Sequence, residues 1–337
     1  DRLLSAFQDP FDLGDTTEFV SCSLGIAQAP LHGEDTDVLM RNADLALYAA
    51  KADGRRTFRF YQHSLRLAVE KRHAMTTDLR VALAAKQFEL HYQPIFNLES
   101  GRISGFEALL RWRHPSLGMV SPVEFIPIAE EAGLIGPIGD WVLRQACCQA
   151  ASWPDEIKVS VNLSPVQFNQ TTLLDSVTEA LEEAALSPDR LELEITESVF
   201  LQNSKHNIEL LFELRRLGVR IAMDDFGTGY SSLSYLRSFP FDKIKVDRSF
   251  VSGIEVDTRD LAIIQAVATL GAGFRIVTTA EGVETTQQLE CLRKQNFGEV
   301  QGFLMGRPMP AAEVPEFIQT RCGSILAAMQ PQNEMAI

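Results

Sequence analysis

The stretch LELEITE at residues 191–197 is a short apolar run that ends in two acidic residues, Glu194 and Glu197. Its length and its Leu, Ile and Thr residues favour a β-strand. A carboxylate buried at the end of such a strand is costly unless it is paired, protonated or bound to a metal. Similar apolar runs that end in polar residues recur along most of the chain.

Strands and helices alternate from residue 88 to residue 304. We predict strands at residues 88–96, 105–112, 158–163, 191–195, 220–223, 243–246, 275–279 and 300–304. Amphipathic helices are predicted between them, at about residues 122–132, 138–152, 170–185, 203–217, 231–237, 258–270 and 285–295. This pattern predicts an α/β fold, a (β/α)8 TIM-type barrel with mostly parallel strands. A doubly wound open sheet is the alternative, but no G-x-G-x-x-G motif follows the first strand.

The sequence pattern in the first part of the chain predicts a small α+β unit, which we place at residues 1–61. Its predicted elements are a strand at 17–28, a helix at 36–52 and a strand at 55–61. About 60 residues is a marginal size for an independent core. A charged helical stretch continues to about residue 86, and we divide the rest into a linker at 62–78, a barrel domain at 79–320 and a tail at 321–337.

The composition excludes several classes of protein. The formal charge of −14 argues against binding to a polynucleotide or to an acidic membrane surface. No apolar run reaches the roughly 18 residues of a membrane helix, and no signal peptide is visible. We therefore expect no membrane contact in this chain and a cytoplasmic location. The chain does not begin with Met, so we expect a longer parent protein, whose upstream part could hold a membrane anchor.

Polar residues lie on the predicted strands or directly after them, mostly at corresponding ends. They are Glu107, Asn162, Glu194, Glu197, Asp224, Asp225, Lys245, Asp247, Glu281, Glu284 and Gln301. Any one of them alone would be read as a helix cap. Repetition over successive strands favours an active site, because these ends converge on one mouth of a barrel.

The residue types at these ends indicate hard metal ions. Carboxylates with one Asn amide, and without Cys or His, suit Mg²⁺, Mn²⁺ or Ca²⁺. The chain has five cysteines without a C-x-x-C pair and no closely spaced histidines, which disfavours zinc and is typical of free thiols. Adjacent Asp224 and Asp225 could hold two cations, which together can activate water for attack at phosphorus. These residues alone do not decide whether the protein is a metal-dependent lyase, isomerase or hydrolase.

The same segments closely resemble the EAL family of bacterial cyclic-di-GMP phosphodiesterases over about residues 76–320. The motifs that carry the resemblance, in order, are YQPI at 92–95, EALLR at 107–111, SP at 121–122 with FIP at 125–127, VNLS at 161–164, EITE at 194–197, DDFGTG at 224–229, KVD at 245–247, EGVE at 281–284 and QGF at 301–303. The resemblance implies a barrel whose first strand is antiparallel. It also implies hydrolysis of cyclic-di-GMP to linear pGpG in second-messenger signalling, with two Mg²⁺ or Mn²⁺ ions.

The resemblance also implies roles for individual residues. The positions that match the first metal site are Glu107, Asn162, Glu194 and Asp224. Asp224 and Asp225 match the second site, Glu281 lies at the metal pair or acts on the water, and Lys245 positions that water. The expected substrate contacts are Gln93, Arg111, Asp247, Glu284 and Gln301. The loop with Gly227 and Gly229, supported by Glu197, is similar to the loop that links metal binding to dimerisation, so a homodimer is expected.

Residues 20–27, 43–51 and 54–55 resemble the C-terminal half of a GGDEF (diguanylate cyclase) domain. The GGDEF signature is not in the chain, so this part is not expected to make cyclic-di-GMP. The main alternative for the barrel is a catalytically silent EAL-type receptor. Such receptors typically lack metal ligands or the Asp-Asp loop, and this chain keeps both. An unrelated Mg²⁺-dependent barrel enzyme is a more remote alternative.

Overall fold

The computed structural model describes residues 2–7, 9–14, 16–200, 204–228 and 233–321. It divides into two compact units, Asp1–Val81 and Ala82–Ile337. Gly229 and most of the predicted tail lie outside the described residues. Across the part of the chain that is described, no helix combines the length and apolar character needed to cross a membrane.

In its described residues, the first unit contains short strands, one short helix and two long helices. In order they are α1 (Arg2–Ser5), β1 (Phe11–Asp12), β2 (Thr17–Glu18), β3 (Leu24–Ile26), α2 (Thr36–Ala52), β4 (Phe58–Phe60) and α3 (His63–Ala82). The Asp35 carboxylate caps α2 by accepting from the backbone N–H of Asp37 at 2.8 Å. β3 and β4 are parallel, and α2 connects them. The predicted helix at 36–52 is confirmed, whereas the predicted strand at 17–28 is two short strands.

The second unit alternates strands and helices. Its strands are β5 (Phe88–Asn97), β6 (Ile103–His114), β7 (Gly118–Val120), β8 (Lys158–Leu163), β9 (Leu191–Thr196), β10 (Arg220–Phe226), β11 (Lys243–Val246), β12 (Val277–Ala280), β13 (Glu299–Gln301) and β14 (Met309–Pro310). Its helices are α4 (Pro122–Glu131), α5 (Ile135–Ala150), α6 (Leu173–Ala184), α7 (Ser204–Arg216), α8 (Leu233–Ser238), α9 (Arg248–Ser252), α10 (Thr258–Phe274), α11 (Thr286–Lys294) and α12 (Val314–Thr320).

Eight of these strands close into a barrel, as predicted. Their order is β5-β13-β12-β11-β10-β9-β8-β6, and β6 pairs with β5 to complete the ring. β5 is antiparallel to both of its ring neighbours, while the other ring pairs are parallel. β7 and β14 add short antiparallel pairs outside the ring. The fold is therefore the (β/α)8 barrel with an antiparallel first strand.

The last ring strand is shorter than the sequence suggests. We predict residues 300–304 as a strand, but β13 ends at Gln301 and the following residues turn. Gly302 lies against the backbone of Val283, where an added Cβ would be 2.2 Å from the Val283 nitrogen. The chain bends at this close approach, so Phe303 leaves the barrel wall and is exposed.

Candidate metal centre

The carboxyl ends of the parallel strands meet at one end of the barrel, which we call the mouth. Side chains from six ring strands and from the residue after β12 converge there. We call this set the mouth cluster, and its members are Glu107, Asn162, Glu194, Asp224, Asp225, Lys245, Glu281 and Gln301. The parallel register explains the convergence, because residues at the ends of neighbouring strands lie side by side, as Asn162 and Glu194 do.

Lys245 is the centre of the mouth cluster. Its Nζ lies 2.6 Å from Glu194 Oε2 and 2.6 Å from Glu281 Oε1. The same atom is 3.2 Å from Asp224 Oδ1 and 3.7 Å from Glu107 Oε2. The side chain is fully buried, yet these four carboxylates hold the pKa of Lys245 well above its usual range against the effect of burial. One ammonium group therefore stays charged among several acids.

The amides of the cluster hold Glu107 from two sides. Asn162 Nδ2 donates to Glu107 Oε1 at 2.6 Å, and Gln301 Nε2 donates to Glu107 Oε2 at 2.6 Å. Burial would raise the pKa of Glu107, but Lys245 and these two donors outweigh it and lower the pKa. Gln301 also donates to Gln93 Oε1 at 3.1 Å, which brings the predicted substrate contact Gln93 into the same network.

An unusual backbone conformation brings the two adjacent aspartates together. Neighbouring residues of a regular strand point to opposite sides. Asp225 instead has a φ of 52°, and the β10–β11 register is irregular between Met223 and Phe226. Carboxylate oxygens of Asp224, Asp225 and Glu281 consequently lie within 4.8 Å of one another, close enough to share a cation. Such left-handed strain in a non-glycine residue is typical of functional sites.

The loop after β10 is hydrogen-bonded to the residue that follows β9. Gly227 has a φ of 97°, and its backbone N–H donates to Glu197 Oε1 at 3.2 Å. An added Cβ at Gly227 would be 3.0 Å from the Phe250 ring. Glu197 and Gly227 are therefore in direct contact, and their role as loop support stays a prediction; Gly229 lies outside the described residues.

Of the other predicted substrate contacts, Arg111 and Asp247 lie near the mouth cluster, where they interact electrostatically with Glu107 and Asp225. Arg111 is half-buried on β6, and its Nη1 donates to the Leu110 carbonyl at 3.0 Å. The Asp247 carboxylate caps α9 by accepting from the Ser249 N–H at 3.0 Å. Asp247 is also near enough to Asp225 to contribute to the raised pKa of that aspartate. Glu284 is exposed, and its backbone N–H donates to Gln288 Oε1 at 2.8 Å.

The acids of the mouth cluster fit hard divalent cations. Burial, with Asp224 adding to it, raises the pKa of Asp225 to about 6. Burial also raises the pKa of Glu281 to about 8, although Lys245 opposes the shift. Within the described part of the chain, the buried Glu194 Oε1 has no hydrogen-bond partner. Oxygen donors crowded in this way suit ions such as Mg²⁺ and Mn²⁺.

Comparison with known proteins identifies the family of the barrel unit. A family model described as the EAL domain matches residues 76–308. This chain belongs to the EAL domain family. A second model, described as the diguanylate cyclase GGDEF domain, matches residues 1–57, ahead of the EAL domain.

Relatives of the EAL domain include named phosphodiesterases. Protein y4lL of Sinorhizobium fredii is 47% identical over 320 residues, which are 95% of this chain and 39% of that protein. The cyclic di-GMP phosphodiesterase NbdA of Pseudomonas aeruginosa is 42% identical over 322 residues, 94% of this chain and 41% of NbdA. The chain thus spans about two fifths of the length of these relatives.

Solved structures share the fold of this EAL domain. The PaMucR phosphodiesterase in its c-di-GMP complex superposes with a TM-score of 0.69 and 44% identity, over 72% of this chain and 99% of that one.

One charged group inside the barrel was missed by the sequence reasoning. Lys243 forms buried ion pairs with Glu192 and Glu299, at 2.6 Å and 2.8 Å. A signal was present, because LELE and KIKV repeat a charged residue every second position, and alternate strand residues share a face.

Proposed function

We propose that this EAL domain hydrolyses cyclic-di-GMP to linear pGpG in bacterial second-messenger signalling. The observation that carries the proposal is the mouth cluster, in which Asp224, Asp225 and Glu281 bring carboxylate oxygens within 4.8 Å of one another around Lys245. The named activity of NbdA and the ligand of PaMucR support the substrate. The surplus of acids explains how an acidic chain can take an anionic substrate, since cations would lie between them.

We assign Glu107, Asn162, Glu194, Asp224, Asp225 and Glu281 as the residues that would hold two divalent cations, Mg²⁺ or Mn²⁺. When bound, such ions polarise the phosphodiester and lower the pKa of water. Lys245, held between Glu194 and Glu281, would orient the attacking water by donating from its ammonium group. We place Arg111 and Gln93 against the substrate phosphate and base, together with Asp247, Glu284 and Gln301.

We also infer a homodimer formed through the EAL domain. Beyond its first turn α10 has a largely apolar exposed face, with Ile263, Ala266 and Phe274 on it. An exposed apolar helix face is typical of an association surface. Light scattering after gel filtration tests this inference, and Ile263→Glu should convert a dimer into a monomer. A parent protein that is monomeric at all concentrations would contradict it.

We place the reaction in the cytoplasm, where thiols such as Cys147 and Cys291 stay reduced.

Incubation with cyclic-di-GMP and Mg²⁺ or Mn²⁺, followed by chromatography, tests the proposed hydrolysis. We expect pGpG to form only when the divalent ion is present, and EDTA to stop its formation. The competing receptor function predicts a different result: cyclic-di-GMP binds, measured by calorimetry, but remains intact at saturating metal. That outcome would show that the domain is a receptor and not an enzyme.

A further inference from the structure

A second set of charged side chains lies inside the barrel, one layer below the mouth cluster. We call it the lower cluster, and it consists of Glu192 on β9, Lys243 on β11 and Glu299 on β13. Lys243 Nζ is 2.6 Å from Glu192 Oε1 and 2.8 Å from Glu299 Oε2. The three side chains are only 1–9% exposed. Branched apolar residues usually fill a barrel at this depth, so three buried charges need an explanation.

The lower cluster is in register with the mouth cluster. Glu192, Lys243 and Glu299 each lie two positions before a member of the mouth cluster on the same strand. The members above them are Glu194, Lys245 and Gln301. Because alternate strand residues share a face, each pair points into the same interior. Any movement of the lower residue along or across its strand would be passed to the residue above it.

The ion pairs of Lys243 join strands that are not neighbours. β10 lies between β9 and β11, and β12 lies between β11 and β13. The pairs are therefore ties across the barrel interior that the backbone ladder does not supply. Two hydroxyl groups orient the carboxylates, since Ser160 Oγ donates to Glu192 at 2.8 Å and Thr279 Oγ1 donates to Glu299 at 3.1 Å.

A gain in folding stability does not explain why three charged side chains are buried here. The cost of removing charges from water offsets most of the attraction in a buried ion pair, and apolar replacements of similar volume are often equally stable. Placement is a better reason, because Lys245 Nζ must remain 2.6 Å from both Glu194 and Glu281. A displacement of about 1 Å at a reacting group can cost about 100-fold in rate.

We propose that the lower cluster positions the mouth cluster, with Lys243 as the central positioning residue. By tying β9 and β13 to β11, Lys243 fixes where Glu194, Lys245 and Gln301 lie relative to one another. The kinetic consequence rests on the proposed phosphodiesterase function. The consequence for cation binding does not, because it concerns only how well Glu194 and its neighbours are placed.

The test is the double variant Lys243→Met/Glu299→Gln. It removes one charge of each sign with little change in volume, and it leaves Glu192 with Ser160 and with Arg220 Nε at 3.8 Å. We expect a Mn²⁺ dissociation constant about 10–100-fold weaker by calorimetry. At saturating Mn²⁺, we expect kcat to fall about 10–100-fold while KM for cyclic-di-GMP changes less than about threefold.

Leu181→Ala is the matched control for a loss of stability alone. Leu181 is buried on the outer helix α6, so its truncation should lower the Tm and leave kcat and Mn²⁺ affinity unchanged. If the double variant does not fold, Glu299→Gln alone keeps the Lys243–Glu192 pair and should weaken Mn²⁺ binding about threefold or more.

A folded double variant with parental kcat and parental Mn²⁺ affinity would overturn the proposal, as would a parent protein that binds no Mn²⁺. If the parent binds Mn²⁺ but leaves cyclic-di-GMP intact, the phosphodiesterase function fails, and the ratio of Mn²⁺ affinities still decides the positioning role.

Discussion

The two charged clusters of the barrel differ in how their charges are balanced. In the lower cluster, Lys243 faces two carboxylates, and Arg220 lies 3.8 Å from one of them. In the mouth cluster, Lys245 alone contacts four carboxylates. The lower cluster is thus close to neutral with protein groups only, whereas the mouth cluster has surplus negative charge. This difference distinguishes the proposed positioning cluster from the proposed cation site.

Removal of Glu107 should give the largest effect on the mouth cluster. Glu107→Ala removes a proposed metal ligand, takes away the acceptor of Asn162 Nδ2 and leaves Gln301 Nε2 with Gln93 Oε1 as its acceptor. We expect turnover of cyclic-di-GMP to fall on the order of 1,000-fold or more. Glu179→Ala, at an exposed position on α6, is the control and should keep full activity. Activity of Glu107→Ala within tenfold of the parent would show that the site lies elsewhere.

Replacement of Lys245 should separate rate from binding. Lys245→Met keeps the volume but removes the ammonium group that contacts Glu194 and Glu281. We expect kcat at saturating Mn²⁺ to fall about 100-fold. The dissociation constant of cyclic-di-GMP, measured in Ca²⁺, should change less than about threefold, because the lysine acts on water. Equal losses in kcat and in binding would contradict that role.

The clusters should also respond differently to pH when metal is removed by EDTA. The pKa of Glu281 is raised to about 8 and that of Asp225 to about 6, mainly by burial. A folded-state pKa above the unfolded value gives stability at low pH that is lost as pH rises through the folded pKa. In the lower cluster, burial raises the pKa of Glu299, but the ion pair with Lys243 outweighs burial and lowers the pKa. Glu299 therefore affects stability only at acid pH. We therefore expect the Tm to fall as the pH rises from about 5 to about 8 and to level off above that.

Two further measurements identify which groups cause the fall of Tm with pH. Glu281→Gln should flatten the dependence of Tm on pH, because the titrating carboxyl is gone. Saturating Mn²⁺ should raise the Tm most at the upper end of the range, since the deprotonated ligands bind the ion. A Tm that is insensitive to both changes would mean that the mouth cluster does not titrate in this range.

The smallest effect is expected at an ion pair outside the barrel. Arg144 contacts Glu179 and Glu183 at 2.7 Å, but all three side chains are 40–58% exposed. Arg144→Ala should lower the free energy of unfolding by at most about 1 kcal/mol in urea titrations, with unchanged kcat. A larger loss would show that this exposed ion pair stabilises the fold more than exposed ion pairs usually do.

The sequence predicts the long elements well and the short ones poorly. The helix at 36–52 and the strands at 158–163 and 243–246 have the predicted bounds, because hydrophobic periodicity and caps define them. β7, β14 and α9 were missed, since two to five residues are too few to show a period. Long-range pairing with the ring strands, not local pattern, forms β7 and β14.

The charged residues of the barrel interior also fall into those that the sequence predicted and those that it did not. Residues at strand ends were recognised because a polar residue after an apolar run is conspicuous. Glu192, Lys243 and Glu299 were passed over, because charged residues that alternate with apolar ones usually mark the solvent face of a strand. Only the closed ring turns that face into an interior. The left-handed backbone at Asp225 was also invisible in the sequence, since aspartate rarely adopts it.

The reversed direction of β5 determines where the polypeptide enters the barrel. In an all-parallel barrel the first strand begins at the face opposite the active site. Here Phe88, the first residue of β5, pairs with Trp112 near the carboxyl end of β6, so the chain enters on the rim that carries the mouth cluster. A pull or twist on the incoming backbone would therefore act on the same rim of the barrel as the mouth cluster, without crossing the barrel.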